Sequence, residues 1–147
     1  LLVEKESADL LDATLDMDEE AVAESIEKIH MEYVSSIQYN DENSLSSVLS
    51  IAYLSTLRYY FKPIRELPAG RGFADFVFIP KPEYVEYYPA LLIELKWNKN
   101  AKTALQQIKE RKYPSALLQY TGNILLVGIN YNKKTKVHEC KIEEFVK

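Results

Sequence analysis

Two segments of this chain are apolar at almost every position: Leu91-Leu92-Ile93-Glu94-Leu95-Lys96-Trp97 and Ile124-Leu125-Leu126-Val127-Gly128-Ile129. A strand with one wet face would show a polar residue at every second position. An unbroken apolar run of this length reads as a central strand covered on both faces. Between the two lies a stretch whose first part, residues 101–113, has helical periodicity, with Pro114 after it. A strand, a helix and a second strand in succession form a right-handed crossover, which sets the two strands parallel. The pair therefore predicts a mixed α/β sandwich around a central sheet. Both runs are far too short to span a membrane.

The remaining pattern fits around this unit. Asp16 and Glu19 have capping-box spacing, and Val22, Ile26, Ile29, Tyr33, Val34 and Ile37 recur at helical intervals, predicting a helix over about 17–37. Asp41 opens a second predicted helix with Leu45, Val48, Leu49, Ala52, Tyr53 and Leu57 on its apolar face. Strand-like segments follow at 60–67, 73–79, 91–97, 124–130 and 136–142. Gly70-Arg71-Gly72 reads as a hairpin connection, and residues 80–89 as a loop with three prolines. The predicted order is ααβββαββ. The first 40 residues read as an acidic helical lead-in, and residues 41–147 as the main domain.

Charge is distributed unevenly. The 147 residues carry a formal net charge of −4, which taken as a mean argues against a nucleic-acid partner. Residues 1–50, however, hold 2 basic and 13 acidic side chains, a net of −11, so the remainder carries a net of +7. The charge objection therefore fails for the part that contains the strands. A single cysteine excludes an intramolecular disulfide and makes the cytoplasm the expected compartment. The chain opens on Leu-Leu-Val inside an apolar pattern, as expected for a segment of a longer protein.

Charged residues inside the predicted core carry the chemistry. Strand period two puts Glu94 and Lys96 on one face, with Leu95 opposite, and Asp75 lies within the neighbouring apolar strand. Burying such groups without partners costs several kcal/mol. Two carboxylates can hold a hard divalent cation, and a lysine beside them can hold a water and offset charge at a phosphate. A buried ion pair explains Glu94 and Lys96 about equally well on its own. Glu42 lies in the first turn of the second helix, and Gln107 follows Ala104 by three on the helix after the Glu94 strand. A basic group, Lys99, Lys102, Lys109, Arg111 and Lys112, borders the same helix, with Tyr113 behind it. Arg71 sits near Asp75, and Lys133, Lys134 and Lys136 form a basic hairpin turn. Any of these could contact a phosphate backbone or simply be solvated. His138 and Cys140 share a strand face, but two such residues make a poor zinc site.

In order along the chain, Glu42, Asp75, Glu94-Leu95-Lys96 and Gln107 resemble the PD-(D/E)xK nuclease superfamily. Gly70-Arg71-Gly72-Phe73-Ala74-Asp75-Phe76-Val77-Phe78-Ile79-Pro80, Gln107-Ile108-Lys109-Glu110 and Leu126-Val127-Gly128-Ile129-Asn130-Tyr131 look like one branch of it. That branch is the C-terminal domain of bacterial AAA-ATPase-like proteins, and the resemblance covers about residues 8–147. It implies a restriction-endonuclease-like αβββαβ core, with an extra N-terminal helix and an extra C-terminal strand. It also implies metal-dependent phosphodiester hydrolysis of nucleic acid, DNA in the first place, using Mg²⁺ or Mn²⁺. Asp75, Glu94 and the Leu95 carbonyl would be metal ligands. Lys96 would position the attacking water, Glu42 would act directly or through a water, and Gln107 would orient the site. Implied partners are nucleic acid and an upstream ATPase-like domain, with no membrane and with homodimerisation left open. Two departures stand out: Ala74 replaces the superfamily's proline, and Leu45-Ser46 replaces an aromatic–His pair after the helix glutamate. The alternative is a catalytically inactive nuclease-like module serving DNA binding or interdomain docking.

Overall fold

The computed structural model describes residues 2–33, 42–69, 72–110, 120 and 122–145. Three helices come first: α1 (Leu2–Leu15), α2 (Glu19–Tyr33) and α3 (Glu42–Ala52), followed by a 3-10 turn at Leu54–Arg58. Then come strands β1 (Ile64–Ala69), β2 (Gly72–Phe78) and β3 (Ala90–Trp97), helix α4 (Ala101–Glu110), and strands β4 (Ile124–Asn132) and β5 (Val137–Glu144). The sheet order is β1-β2-β3-β4-β5. Only the β3–β4 pair is parallel, as the crossover requires, and the other neighbours are antiparallel.

The two faces of the sheet have separate cores. Leu91, Ile93 and Leu95 of β3 join Phe76, Phe78, Val127, Ile129, Cys140 and Ile142 against Leu10, Val22, Ile26, Ile29, Leu45 and Leu49 of α1–α3. On the other face Val77, Ala90, Leu92, Ile124 and Leu126 pack on Leu105 and Ile108 of α4. Helices thus cover both faces, the restriction-endonuclease-like arrangement. Among the described residues no helix is long and apolar enough to cross a membrane.

Several local expectations are corrected. Three helices, not two, precede the sheet. The inward face of α1 includes the buried polar residues Glu6, Ser7 and Thr14, so its hydrophobic periodicity is weak. Ser7 Oγ accepts from Ser55 N (2.8 Å), and Thr14 shares a hydrogen bond with the Tyr53 hydroxyl (2.9 Å). The α2 cap is Asp18, whose Oδ1 accepts from Ala21 N, and not Asp16. The chain turns between α1 and α2 at Met17, with φ at 57°, and Asp18 N donates to Ala13 O while Met17 N donates to Thr14 O. This is a Schellman ending with methionine where glycine is usual. Helix α3 stops at Ala52 instead of continuing to Leu57, which is 46% exposed. Strand β1 begins at Ile64, directly after Pro63, instead of at Tyr60.

The acidic lead-in has inward work to do. Strand β5 lies at the sheet edge, and α2 covers that edge with carboxylates. Glu27 Oε1 accepts from His138 N, and Glu19 Oε2 accepts from Ile142 N. Glu19 also lies near Lys141, and Glu6 of α1 pairs with Lys28 of α2. Edge N–H groups left open would invite pairing with another chain. Glu6, Glu19 and Glu27 therefore face the protein itself.

A pH dependence follows from the same contact. His138 is buried, and its Nδ1 lies 2.9 Å from Glu27 Oε1. Burial holds the His138 pKa below its ordinary value, against the opposing pull of Glu27; burial lowers that of His30 beside it as well. The unfolded chain takes up protons near pH ~6.5 that the folded chain resists, so stability falls as pH drops below that point. The urea midpoint should therefore be lower at mildly acidic than at mildly alkaline pH. His138→Gln should remove much of the difference.

Candidate active site

The face of the sheet under α4 carries the charged residues. Ala90 and Leu92 of β3 point to α4, and by strand alternation Glu94 and Lys96 follow on that face. The Glu94 side chain is 3% exposed and that of Lys96 14%. Lys96 Nζ lies 4.0 Å from Glu94 Oε1, close enough for attraction but too far for a hydrogen bond. In the β2–β3 ladder Phe76 opposes Ile93 and Val77 opposes Leu92. One residue further along that antiparallel register, the Asp75 position falls beside Glu94. The Asp75 side chain itself lies outside the described residues, as does that of Glu42.

The other proposed residues are placed as follows. Gln107 is half-buried on α4, between Ala104 and Ile108 at the border of the helix's buried side. Glu42 is the first residue of α3, which packs on the opposite face of the sheet. It is at the end of α3 remote from Tyr53, whose ring packs on Phe78 (5.8 Å). Lys99, Lys102 and Lys109 are exposed, but Lys109 is paired with Glu143 and so is not a free cation. Arg71, Arg111, Lys112 and Tyr113 lie outside the described residues.

Sequence reasoning missed the side chains that seat α4 over this face. Gly128 of β4 pairs with Glu94 in the parallel register. A Cβ at Gly128 would come within 2.6 Å of Ala101 O and 2.8 Å of Leu105 N, so the α4 backbone rests directly on this glycine. Asn130, paired with Lys96, accepts from Lys99 N (3.0 Å) and donates to Lys99 O (3.3 Å). Glu139 Oε1 accepts from Ala101 N (2.6 Å), and Asn100 Oδ1 accepts from Thr103 N (2.7 Å). These acceptors satisfy the first N–H groups of α4. A glycine inside an apolar strand and an asparagine at its end were the available signals.

Around this face the basic groups dominate the loop end of the sheet. Glu139 and Glu143 are engaged with the α4 N-terminus and Lys109, whereas Lys99, Lys102, Lys133, Lys134 and Lys136 stand exposed. His138 and Cys140 are buried on the opposite side against α2, His138 with Glu27 as its partner. Among the described residues no three His, Cys, Asp or Glu side chains form a metal cluster. The one described carboxylate on this face, Glu94, is a hard oxygen donor of the kind Mg²⁺ and Mn²⁺ take.

Compared with models of known protein families, residues 40–141 match the model described as the PD-(D/E)XK nuclease superfamily. Among curated proteins there is no match.

Proposed function

The chain belongs to the PD-(D/E)XK nuclease superfamily, and from that membership we propose that it hydrolyses phosphodiester bonds of nucleic acid, DNA in the first place. The observation that supports this most is the placement of Glu94 and Lys96 on one buried sheet face, with the Asp75 position beside Glu94. Asp75, Glu94 and the Leu95 carbonyl are assigned to hold one Mg²⁺ or Mn²⁺. Bound there, the ion supplies positive charge against that developing on the scissile phosphate.

The chain's own groups do the rest. Lys96 holds the attacking water in line with the phosphorus–oxygen bond and offsets negative charge as it develops. Low exposure strengthens that effect, because water screens the ammonium poorly there. Gln107 orients the water or the phosphate from α4. Glu42 is assigned the outermost role, acting from the α3 terminus directly or through a water. Gly128, Asn130 and Glu139 seat the start of α4, the helix that carries Gln107, on the sheet.

We further read residues 41–147 as the nuclease domain and the first 40 as its helical lead-in, within a larger ATPase-like protein of the bacterial branch named above. A cytoplasmic location fits the one buried thiol, Cys140. An acidic, rather than basic, front would favour the inactive-module reading slightly. Glu6, Glu19 and Glu27 of that front are engaged inside the molecule, which removes part of its basis.

The deciding experiment is cleavage of single-stranded, duplex and branched DNA, and of RNA, with Mn²⁺ and with chelator. Wild type should cut at least one substrate only with the ion, and Asp75→Ala should cut none. Activity that survived both Asp75→Ala and Lys96→Ala would belong to a contaminant and would sink the assignment.

A further inference from the structure

The turn between β4 and β5 is built more rigidly than a solvent loop needs to be. Asn132 Oδ1 accepts from Lys134 N (3.0 Å) and Thr135 N (3.1 Å), and Lys136 N donates to Asn132 O (2.7 Å). The turn is also tied to the loop that leaves β3. Asn98 Oδ1 accepts from Lys133 N (2.8 Å), and Asn98 N donates to Tyr131 O (2.8 Å). Together Asn98, Asn132, Lys133 and Lys134 line an open depression of about 520 Å³.

Besides Met17 in the α1–α2 turn, two described non-glycine residues sit in the left-handed region, and both lie here: Asn98 at φ 56° and Lys136 at φ 60°. Lys136 closes the hairpin turn at the position where glycine is the low-energy choice. A lysine there costs conformational energy, and among the described residues it forms no ion pair that would offset it. Backbone strain of this kind points to a use for the side chain.

Charge gives the direction. Lys28, Lys96, Lys109 and Lys141 each have a carboxylate partner. Among the described residues Lys99, Lys102, Lys133, Lys134 and Lys136 pair with no carboxylate, and all five are exposed. They gather beyond the ends of β3 and β4. Asn98 is two residues past Lys96, about 7 Å along an extended chain. This group of five therefore begins where the charged face ends, while Lys62 and Lys81, which also pair with no carboxylate among the described residues, lie elsewhere in the chain.

Building on the nuclease reading, we propose that this turn and the loop before α4 form a second contact with the substrate. It is a clamp on the sugar-phosphate backbone flanking the scissile bond, which reads charge and not sequence. An acidic protein surface is the competing occupant. Nucleic acid is favoured because the cations continue the same end of the sheet that carries Lys96.

The test is fluorescence anisotropy with labelled duplex and single-stranded oligonucleotides of unrelated sequence, in Ca²⁺, over a KCl series. Each phosphate neutralised contributes about 0.9 to the salt slope on duplex DNA and about 0.7 on single strands. Lys133→Ala/Lys134→Ala/Lys136→Gly should lower the slope by roughly 2–3 and weaken binding equally on all sequences. Lys62→Ala/Lys81→Ala, which removes two cations elsewhere, should leave both unchanged. Lys136→Gly alone separates the roles. It should raise the melting temperature, by relieving the left-handed lysine, and yet weaken binding.

Wild-type slope and affinity in the triple variant of a chain that cleaves would overturn the clamp and leave the nuclease reading standing. Turn-dependent binding by a chain that cuts nothing would support the clamp and defeat the catalytic reading. A chain that binds poly-glutamate but no nucleic acid would overturn both.

Discussion

Lys96→Ala should lower the rate of phosphodiester cleavage by roughly 10²–10⁴-fold while leaving nucleic-acid affinity nearly unchanged. The reason is position. The Lys96 side chain is 14% exposed, at the end of a buried strand, with its ammonium 4.0 Å from Glu94 Oε1. Its charge acts where water screens weakly, so it bears on the transition state more than on ground-state binding, the role proposed for the exposed lysines beyond it. Lys96→Arg should rescue little, since a planar guanidinium cannot take the place of a compact ammonium beside Glu94. The substitution also removes a cation from beside a carboxylate that is 3% exposed, so some loss of melting temperature is expected alongside. Single-turnover rates at a temperature where both proteins are fully folded separate the two effects. An unchanged single-turnover rate would remove Lys96 from the chemistry.

The parts of the fold legible in the sequence are those whose signal is local. Strands β3 and β4 are buried on both faces and announce themselves as apolar runs, and α4 between them forces the parallel pairing. Glu94 and Lys96 stand out there because polar residues are rare in such a run. The parts that were not legible depend on partners far away in the chain. Helix α1 hides because Ser7 and Thr14 are buried against Ser55 and Tyr53, more than thirty positions on. The acids of α2 read only as part of an acidic lead-in, until Glu19 and Glu27 meet β5 across more than a hundred residues. The asparagines at 98, 130 and 132 look like ordinary turn formers. Their side chains in fact bind together the β3 exit, the start of α4 and the hairpin turn. Composition describes each of these residues correctly and says nothing of what it touches.

Gly128→Ala should destabilise the protein by about 2–3 kcal/mol, the cost of forcing extra volume into a filled contact. At this chain length that corresponds to a fall in melting temperature of roughly 5–10 °C. The obstruction is main chain: the new Cβ would sit 2.6 Å from Ala101 O and 2.8 Å from Leu105 N, and no rotamer change can move either. The Ala104 side chain is a lesser neighbour at 3.1 Å, so Ala104→Gly should fail to rescue the variant. Rescue would show that the constraint is a side chain and not the helix backbone. Because Gly128 pairs with Glu94, and α4 carries Gln107, lifting the helix also opens the charged face. Cleavage by Gly128→Ala should therefore fall even at temperatures where the variant is fully folded, with the affinity supplied by the lysine turn retained. On the proposed reading the glycine links packing to chemistry, because the close approach that seats α4 on the sheet also holds the helix that carries Gln107.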